Sequence, residues 1–390
     1  MKKKLKEIST QVRGVSYKPS DVRDKFSGVP ILRANNIQDT GIVFDELVYV
    51  DSSKVHSEQY LLTDDIVICA SSGSKKLVGK AATYKSDLSA SFGAFCKVVR
   101  INNSDDLCKA YIQQYFQSKI YRNAISESSA GANINNIKTE DIESLEIPLP
   151  SKEEQIKIAA ELDTIQSAID NKKQQLALLD EAVKSEFVEM FGENPVGSGK
   201  WKITTLGKIA EIGSSKRIFA SEYVTSGIPF YRSKEIIELS KNLKPSVELF
   251  ISKERYEEIR NKNGVPEIGD ILMTAVGTIG KFWEVNTDKP FYYKDGNLVY
   301  IRCKIFNSTF FRYILESLIE AFKQQNLVGS AYSALTIDRL KQMTVPMIEL
   351  DLQNKFAAFV QQIDKSKFVV KQQIADLQEL LDSKMQEYFS

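Results

Sequence analysis

The sequence has few of the residues that most catalytic and metal sites need. It contains one histidine, His56, which lies in a polar stretch, and four cysteines that are far apart. A structural zinc site needs histidines and cysteines at ligand spacing, and a disulfide framework needs more cysteines than this. No run of about 18 apolar residues occurs that could span a membrane, and the basic start lacks the apolar segment of a signal peptide. We therefore expect a cytoplasmic chain without a metal site.

The sequence also has almost no excess of one charge sign, since the net charge is +1 over 390 residues. The charges are nevertheless unevenly distributed along the chain. The net charge is +2 over residues 1–150 and +5 over 201–345, against −4 over 151–190 and −1 over 351–390. One core rarely grows beyond about 250–300 residues, so the length argues for at least two domains. Two weakly basic blocks are thus separated by acidic segments that have another role.

The chain contains one unit twice. SGVPILRANNI at 27–37 corresponds to SGIPFYRSKEI at 226–236, and IKTEDIESLEIPLP at 137–150 corresponds to LTIDRLKQMTVPMI at 335–348. A repeat of this length indicates duplicated domains rather than a solenoid. Within each copy, short β-branched and aromatic runs separated by Gly, Asn, Asp and Ser predict strands, followed by a late helix.

Each copy ends in a segment without glycine or proline whose apolar residues follow a heptad pattern, with the same late stutter in both copies. This spacing is typical of two helices packed on each other; two amphipathic helices packed separately on their own domains are the alternative. The predicted seam consists of Ile158, Leu162, Ile165, Ile169, Leu176, Leu179 and Val183 in the first copy, and of Phe356, Val360, Ile363, Ile374, Leu377 and Leu381 in the second.

The start of each helical segment carries a family resemblance. IPLPSKEEQIKIAAELDTI at 147–165, its counterpart VPMIELDLQNKFAAFVQQI at 345–363, and GDIL…GTIGK at 269–281 resemble the specificity subunits of type I restriction–modification systems. The second helix start departs from the family pattern, since it lacks the second proline and the glutamate before Gln353. TDDIVICASSG…GK at 63–80 is a looser version of the third motif.

The resemblance implies an α+β protein with two similar target recognition domains separated by two long helices, which form an antiparallel coiled coil with pseudo-twofold symmetry. Each domain would bind one half-site of a bipartite double-stranded DNA target, and the helices would fix the distance between the halves. The resemblance and the repeat together place the first domain at 1–148, the first helix at 149–192, a linker at 193–200, the second domain at 201–346 and the second helix at 347–390.

The resemblance also implies partners and a non-catalytic role. Two modification subunits would methylate adenine with S-adenosylmethionine, restriction subunits would cleave DNA with ATP and magnesium, and this chain would bind no cofactor itself. The residues agree: the spacing from Gly73 to Gly79 is one residue too long for a P-loop, and Ala81 follows the lysine. A duplicated protein–protein scaffold without DNA binding is the alternative.

Candidate DNA contacts are basic and polar side chains in loops after predicted strands, because these side chains can donate to base edges and phosphates. In the first domain they are Arg33, Asn35, Asn36, Ser71, Ser72, Ser74, Lys75, Lys76 and Lys80. In the second they are Lys216, Arg217, Arg232, Ser233, Lys234, Thr278, Lys281, Ser330, Tyr332 and Ser333. Arg33 and Arg232 match between the copies, which favours a phosphate contact or a structural pair over base reading. For the loop at 71–76, a solvated surface turn is the alternative.

Changing both Lys75 and Lys76 to glutamate tests this loop. If both lysines contact phosphates, DNA binding should weaken, and the slope of log affinity against log salt should fall by up to about two, because fewer counterions are released. Binding titrations at several salt concentrations measure the slope. An unchanged slope would remove the loop from the interface, and assembly with the modification subunit serves as the folding control.

Overall fold

The computed structural model describes residues 1–38, 40–74, 77–128, 136–325 and 335–390. The chain forms two compact units, Met1–Gln175 together with Val370–Ser390, and Leu176–Val369. The division runs through both long helices, whereas the predicted domain boundaries follow the helix ends; those boundaries stay a prediction. Within the described ranges, no helix combines the length and the apolar composition that a membrane span requires.

The first unit is built from twelve described strands, four whole helices and parts of the two long helices. The strands are β1 (Lys2–Lys4), β2 (Ser9–Arg13), β3 (Val22–Arg23), β4 (Val29–Leu32), β5 (Ile37–Gln38), β6 (Gly41–Ile42), β7 (Val48–Val50), β8 (Ile66–Cys69), β9 (Ala81–Thr83), β10 (Ser91–Phe92), β11 (Cys96–Ile101) and β12 (Glu146–Pro148). The helices are α1 (Leu5–Ile8), α2 (Lys109–Gln117), α3 (Lys119–Ser128), α4 (Thr139–Glu143), the first part of α5 (Lys152–Phe191) and the last part of the C-terminal helix described below.

The second unit has a similar order of elements with ten described strands. The strands are β13 (Lys202–Thr205), β14 (Glu211–Gly213), β15 (Tyr223–Val224), β16 (Ile228–Tyr231), β17 (Phe250–Ile251), β18 (Ile271–Thr274), β19 (Phe282–Glu284), β20 (Tyr292–Tyr293), β21 (Leu298–Arg302) and β22 (Thr344–Met347). The helices are α6 (Leu206–Ile209), α7 (Ser233–Ser240), α8 (Lys253–Asn263), α9 (Ser308–Gln325), α10 (Ile337–Gln342) and α11 (Leu350–Phe389), together with the last part of α5.

The sheets of the two units have the same topology. One sheet has the order β2-β11-β8-β9 in the first unit and β14-β21-β18-β19 in the second, and its neighbouring strands are antiparallel. The other has the order β10-β4-β7-β3 and β20-β16-β17-β15, with one parallel pair, β10 with β4 and β20 with β16. The units differ after β4 and β16, where a β5–β6 hairpin in the first unit is replaced by helix α7. The predicted α+β duplication is therefore confirmed.

The central strand of the first sheet is buried on both faces. In β8, Ile66 and Ile68 belong to one hydrophobic core, and Val67 and Cys69 belong to another. The second unit repeats this division along β18. A strand placed between two cores must be apolar at every position, and for this reason the sequence shows an uninterrupted run there instead of an alternating pattern.

The two long helices pair antiparallel in each unit. In the first unit, the hydroxyl of Tyr388, near the end of α11, donates to Glu161, near the start of α5, over 2.6 Å. In the second unit, the Lys367 ammonium lies 2.6 Å from Asp180, and the rings of Phe187 and Phe356 lie 5.5 Å apart. The alternative of separately packed helices is therefore wrong. All thirteen predicted seam residues are buried or half-buried.

A buried glutamine joins the start of each long helix to the domain beside it. The side chain of Gln155 accepts from the Cys108 amide at 2.9 Å and donates to the carbonyls of Asp106 and Pro150 at 3.0 and 2.9 Å. Gln353 repeats this geometry in the second unit, accepting from the amide of Asn307 and donating to the carbonyl of Ile348. The glutamine that the two helix starts share is thus a structural clamp.

Replacing Gln155 with alanine should destabilise the first unit by about 2–4 kcal/mol, because it leaves a buried amide and two carbonyls without their partner. Urea unfolding followed by circular dichroism measures the free energy of unfolding. Gln174→Ala, at an exposed position of the same helix, is the matched control and should change little. Equal effects of the two variants would refute the clamp.

Candidate nucleic-acid interface

Backbone hydrogen bonds bring three loop segments together in the first unit. Because β4 and β10 are parallel, their carboxyl ends lie at one edge of the sheet, where the Gly93 amide donates to the Leu32 carbonyl at 2.9 Å. The amides of Ala70 and Ser71, which follow β8, both donate to the Phe95 carbonyl, at 2.9 and 3.0 Å. We call residues 33–36, 70–74 and 93–95 the first loop edge.

The second unit has an equivalent edge. The Lys294 amide donates to the Tyr231 carbonyl at 2.9 Å, and the Ala275 amide donates to the Asn297 carbonyl at 2.8 Å. A fourth segment joins here, since Arg217 forms an ion pair with Asp295 at 2.8 Å. We call residues 214–217, 232–235, 275–281 and 294–297 the second loop edge.

Several predicted contact residues of the first domain meet at the first loop edge. Asn35 and Ser74 are exposed there, and Ser71 and Ser72 are half-buried. The Ser72 hydroxyl accepts from the Ser74 amide at 3.2 Å, which shapes the turn. Lys80 is half-buried just beyond the edge. Two further predicted residues, Lys75 and Lys76, lie outside the described residues.

Asn36 requires a correction. It is fully buried, its side-chain oxygen accepts from the Arg33 amide at 2.8 Å, and its side-chain nitrogen donates to the carbonyls of Val43 and Asp45 at 3.0 and 2.8 Å. Every strong hydrogen-bonding group of this side chain is used within the protein, so a DNA contact by Asn36 is incompatible with the structure. The Arg33 guanidinium donates to the Glu46 carbonyl at 2.7 Å.

The predicted residues of the second domain divide into exposed and internally bonded groups. Lys216, Arg217, Thr278 and Lys281 are exposed at the second loop edge. The Ser233 hydroxyl, in contrast, is buried without a hydrogen-bond partner among the described residues. The prediction that it contacts DNA is therefore incompatible with the structure. Ser330, Tyr332 and Ser333 lie outside the part of the chain that the structure describes.

Arg232 and Lys234 belong to a four-residue charge cluster. The Arg232 guanidinium lies 2.9 Å from both Glu235, which is fully buried, and Glu248, and the Lys234 ammonium lies 2.7 Å from Glu248. The hydrogen bond to Glu235 raises the pKa of Arg232 most, and the hydrogen bond to Glu248 raises it further. The hydrogen bond to Glu248 also raises the pKa of Lys234. Hydrogen bonds from Lys234 and Arg232 lower the pKa of Glu248 to about 2. Of the two roles predicted for Arg232, the contacts favour the structural pair.

Sequence reasoning missed an ion pair that fixes the central strand of each unit. Arg100 makes two hydrogen bonds to Asp65, at 2.9 and 2.7 Å, and Arg302 makes the same two bonds to Asp270, at 2.8 and 2.7 Å. The match of Asp65 with Asp270 was visible in the repeat, and a search for a matched partner of opposite charge would have found both arginines. In the described ranges, no group of three or more His, Cys, Asp or Glu residues could hold a metal ion.

Comparison with solved structures gives the class of the fold. The S subunit of a type I restriction–modification system from M. genitalium aligns over all of this chain and 96% of its own, with a TM-score of 0.52 and 14% identity. A chain from a structure described as "Structural basis underlying complex assembly and conformational transition of the type I R-M system" aligns over all of this chain and 97% of its own, with a TM-score of 0.57 and 17% identity. These chains share the fold described above.

The model of the family described as "Type I restriction modification DNA specificity domain" matches residues 1–181 and 198–379, so the chain belongs to this family. The StySPI specificity subunit of Salmonella potsdam is 40% identical over 179 residues, which are 45% of this chain and 38% of that protein. The EcoKI specificity subunit of Escherichia coli is 39% identical over the same shares. The chain thus covers less than half the length of these two relatives.

A third relative is similar along most of the chain. The putative MjaX specificity subunit of Methanocaldococcus jannaschii is 25% identical over 93% of this chain and 86% of its own length. The resemblance to specificity subunits is confirmed. By family, the chain is a specificity component, as the sequence predicts.

Glu248→Gln should strengthen DNA binding, since it removes a negative charge from the cluster and releases the Lys234 ammonium. If Lys234 then contacts a phosphate, the salt slope should rise by up to about one. Binding titrations at several salt concentrations compare the Glu248→Gln variant with Glu189→Gln, which makes the same charge change at an exposed position of α5. Identical slopes for the two variants would show that Lys234 does not approach the DNA backbone.

Proposed function

We propose that the chain binds a bipartite double-stranded DNA target, with one half-site at each loop edge, and that it scaffolds the modification and restriction subunits without catalysing a reaction. One observation carries this proposal: matched backbone hydrogen bonds build an equivalent edge in each unit, but different side chains occupy it. Asn35, which is exposed at the first edge, stands where the exposed Lys234 stands in the second copy. Two edges with different side chains suit two different half-sequences.

The charge distribution supports separate surfaces for DNA and for protein partners. The basic excess lies in residues 1–150 and 201–345, and the long helices are acidic. Acidic helices are repelled by phosphates and offer polar surface to other subunits. In this proposal two modification subunits bring S-adenosylmethionine, the restriction subunits bring ATP with magnesium, and this chain acts in the cytoplasm with no cofactor of its own and no membrane contact.

A selection experiment tests the proposal. The chain, assembled with its modification subunit, is incubated with a random-core double-stranded DNA library, and bound DNA is separated by gel shift and sequenced. Two constant blocks separated by a random gap of fixed length are expected, and binding should weaken with salt. A protein–protein scaffold would enrich no sequence, and that result would overturn the proposal.

The gap length gives a second test, because the chain passes between its two units only within α5 and α11. Inserting four residues after Gln175 and four after Val369 adds about 6 Å to each connection and is close to one helical turn, which a heptad seam absorbs as a stutter. The half-sequences should stay the same and the gap should lengthen by about one or two base pairs.

Methylome sequencing of cells that carry the insertion variant reads the recognised sequence directly. A four-residue insertion after Gly199, in the linker of the second unit, is the control and should leave the gap unchanged. An active variant with an unchanged gap, or with altered half-sequences, would show that the helices do not set the spacing.

A further inference from the structure

An exposed aromatic side chain lies at the centre of the first loop edge. Phe95 is 69% exposed. Its carbonyl accepts the amides of Ala70 and Ser71, so the ring is attached next to the predicted contact residues Ser71 and Ser72. Exposing a ring of this size gives up hydrophobic stabilisation, which a contact with a partner can recover.

The backbone that carries Phe95 is held rigidly. The turn from Gly93 to Cys96 is closed by the Cys96 amide, which donates to the Gly93 carbonyl at 2.8 Å. Val15 pairs with the residues on both sides of Gly93, through the carbonyl of Phe92 and the amide of Ala94. Gly14 allows this close approach, since a Cβ atom there would lie 2.1 Å from the Gly93 oxygen. A side chain on a fixed turn loses little entropy on binding and is positioned for specific contacts.

The second unit carries a different side chain at the same backbone position. The Asn297 carbonyl accepts the Ala275 amide just as the Phe95 carbonyl accepts the Ala70 amide. In both units this residue directly precedes the strand that pairs with the central strand, β11 in the first unit and β21 in the second. Phenylalanine offers an apolar surface, which suits a thymine methyl group, whereas asparagine offers an amide, which suits the edge of adenine.

We propose that Phe95 and Asn297 occupy equivalent base-reading positions, with Phe95 contacting the methyl group of a thymine in one half-site and Asn297 hydrogen-bonding to a base in the other. This inference rests on the proposed function. It adds two specificity residues at matched positions of the two loop edges.

The test uses the complex of the chain with its modification subunit and the target that the random-core library selects for the unchanged chain. Phe95→Ala should reduce the preference for thymine at one position of one half-site by about tenfold or more, which corresponds to the loss of one base contact. Replacing that thymine by uracil, which lacks the methyl group, should weaken binding of the unchanged chain to a similar extent and leave binding of Phe95→Ala unaffected.

Three variants sharpen the result. Phe26→Ala removes another exposed ring of the first unit, which is 88% exposed. Phe26 lies in the turn before β4, whereas the loop edge lies at the other end of that strand, so this variant should leave the selected sequence unchanged. Phe95→Leu, which keeps an apolar surface, should retain part of the thymine preference. Asn297→Ala should alter only the other half-site. Co-purification with the modification subunit shows that each variant is folded.

The possible failures can be told apart. If the unchanged chain selects no sequence, the proposed function itself fails. If it selects two half-sites and Phe95→Ala gives the same profile as Phe26→Ala, the base-reading role is refuted while the function stands. A third result would also overturn the proposal: Phe95→Ala weakens binding, but replacing thymine by uracil does not change binding of the unchanged chain. This result would indicate a ring inserted between base pairs.

Discussion

The buried amide of Gln155, repeated by Gln353, is the interaction on which the arrangement of each unit depends. It satisfies backbone groups in the loop ahead of α2 or α9 and at the start of the long helix, so helix and domain are fixed to each other at one point. From there the helix continues the domain core: Ile158 and Leu162 lie in the same hydrophobic cluster as Tyr111 and residues of β8. The helix is therefore part of its unit and not an appended connector.

The clamp and the antiparallel pairing of the long helices together explain why the boundaries of the compact units differ from the domain boundaries predicted from the sequence. The first unit contains the start of α5 and the end of α11, because antiparallel pairing brings these two segments together against one core. Periodicity shows where a helix lies, but the partner of each half is decided by packing. Lys367 follows the seam residue Ile363 by four positions and so falls at heptad spacing. Its ion pair with Asp180 adds a polar preference for this register.

The loop edges are built by the backbone, which leaves their side chains free to differ. The same amide-to-carbonyl bonds hold Ala70 to Phe95 and Ala275 to Asn297. The frame beneath them is also the same, since Asp65 with Arg100 and Asp270 with Arg302 form equivalent ion pairs in which the carboxylate is buried. Because the frame does not depend on the exposed side chains, substitutions at the edges can change the surface that the edges offer to a ligand without changing the fold.

The sequence by itself determined the duplication, the fully apolar central strands and the two long helices, because each leaves a local pattern of identity or spacing. Its chemistry also selected most of the loop segments that meet at the two edges. Only the tertiary structure decided which side chains are available there. Asn36 and Arg232 have the right chemistry for DNA, but the carbonyls of Val43 and Asp45 already bind Asn36, and two carboxylates already bind Arg232. Phe95 looks like one more strand residue in the sequence, but it lies in a turn that the Cys96 amide closes and that Val15, Ala70 and Ser71 hold by hydrogen bonds, and its ring is exposed there. The residues that hold the Phe95 turn lie far away in the chain, and the partners of Asn36 and Arg232, although nearer in the chain, reach them only through the fold of the loops.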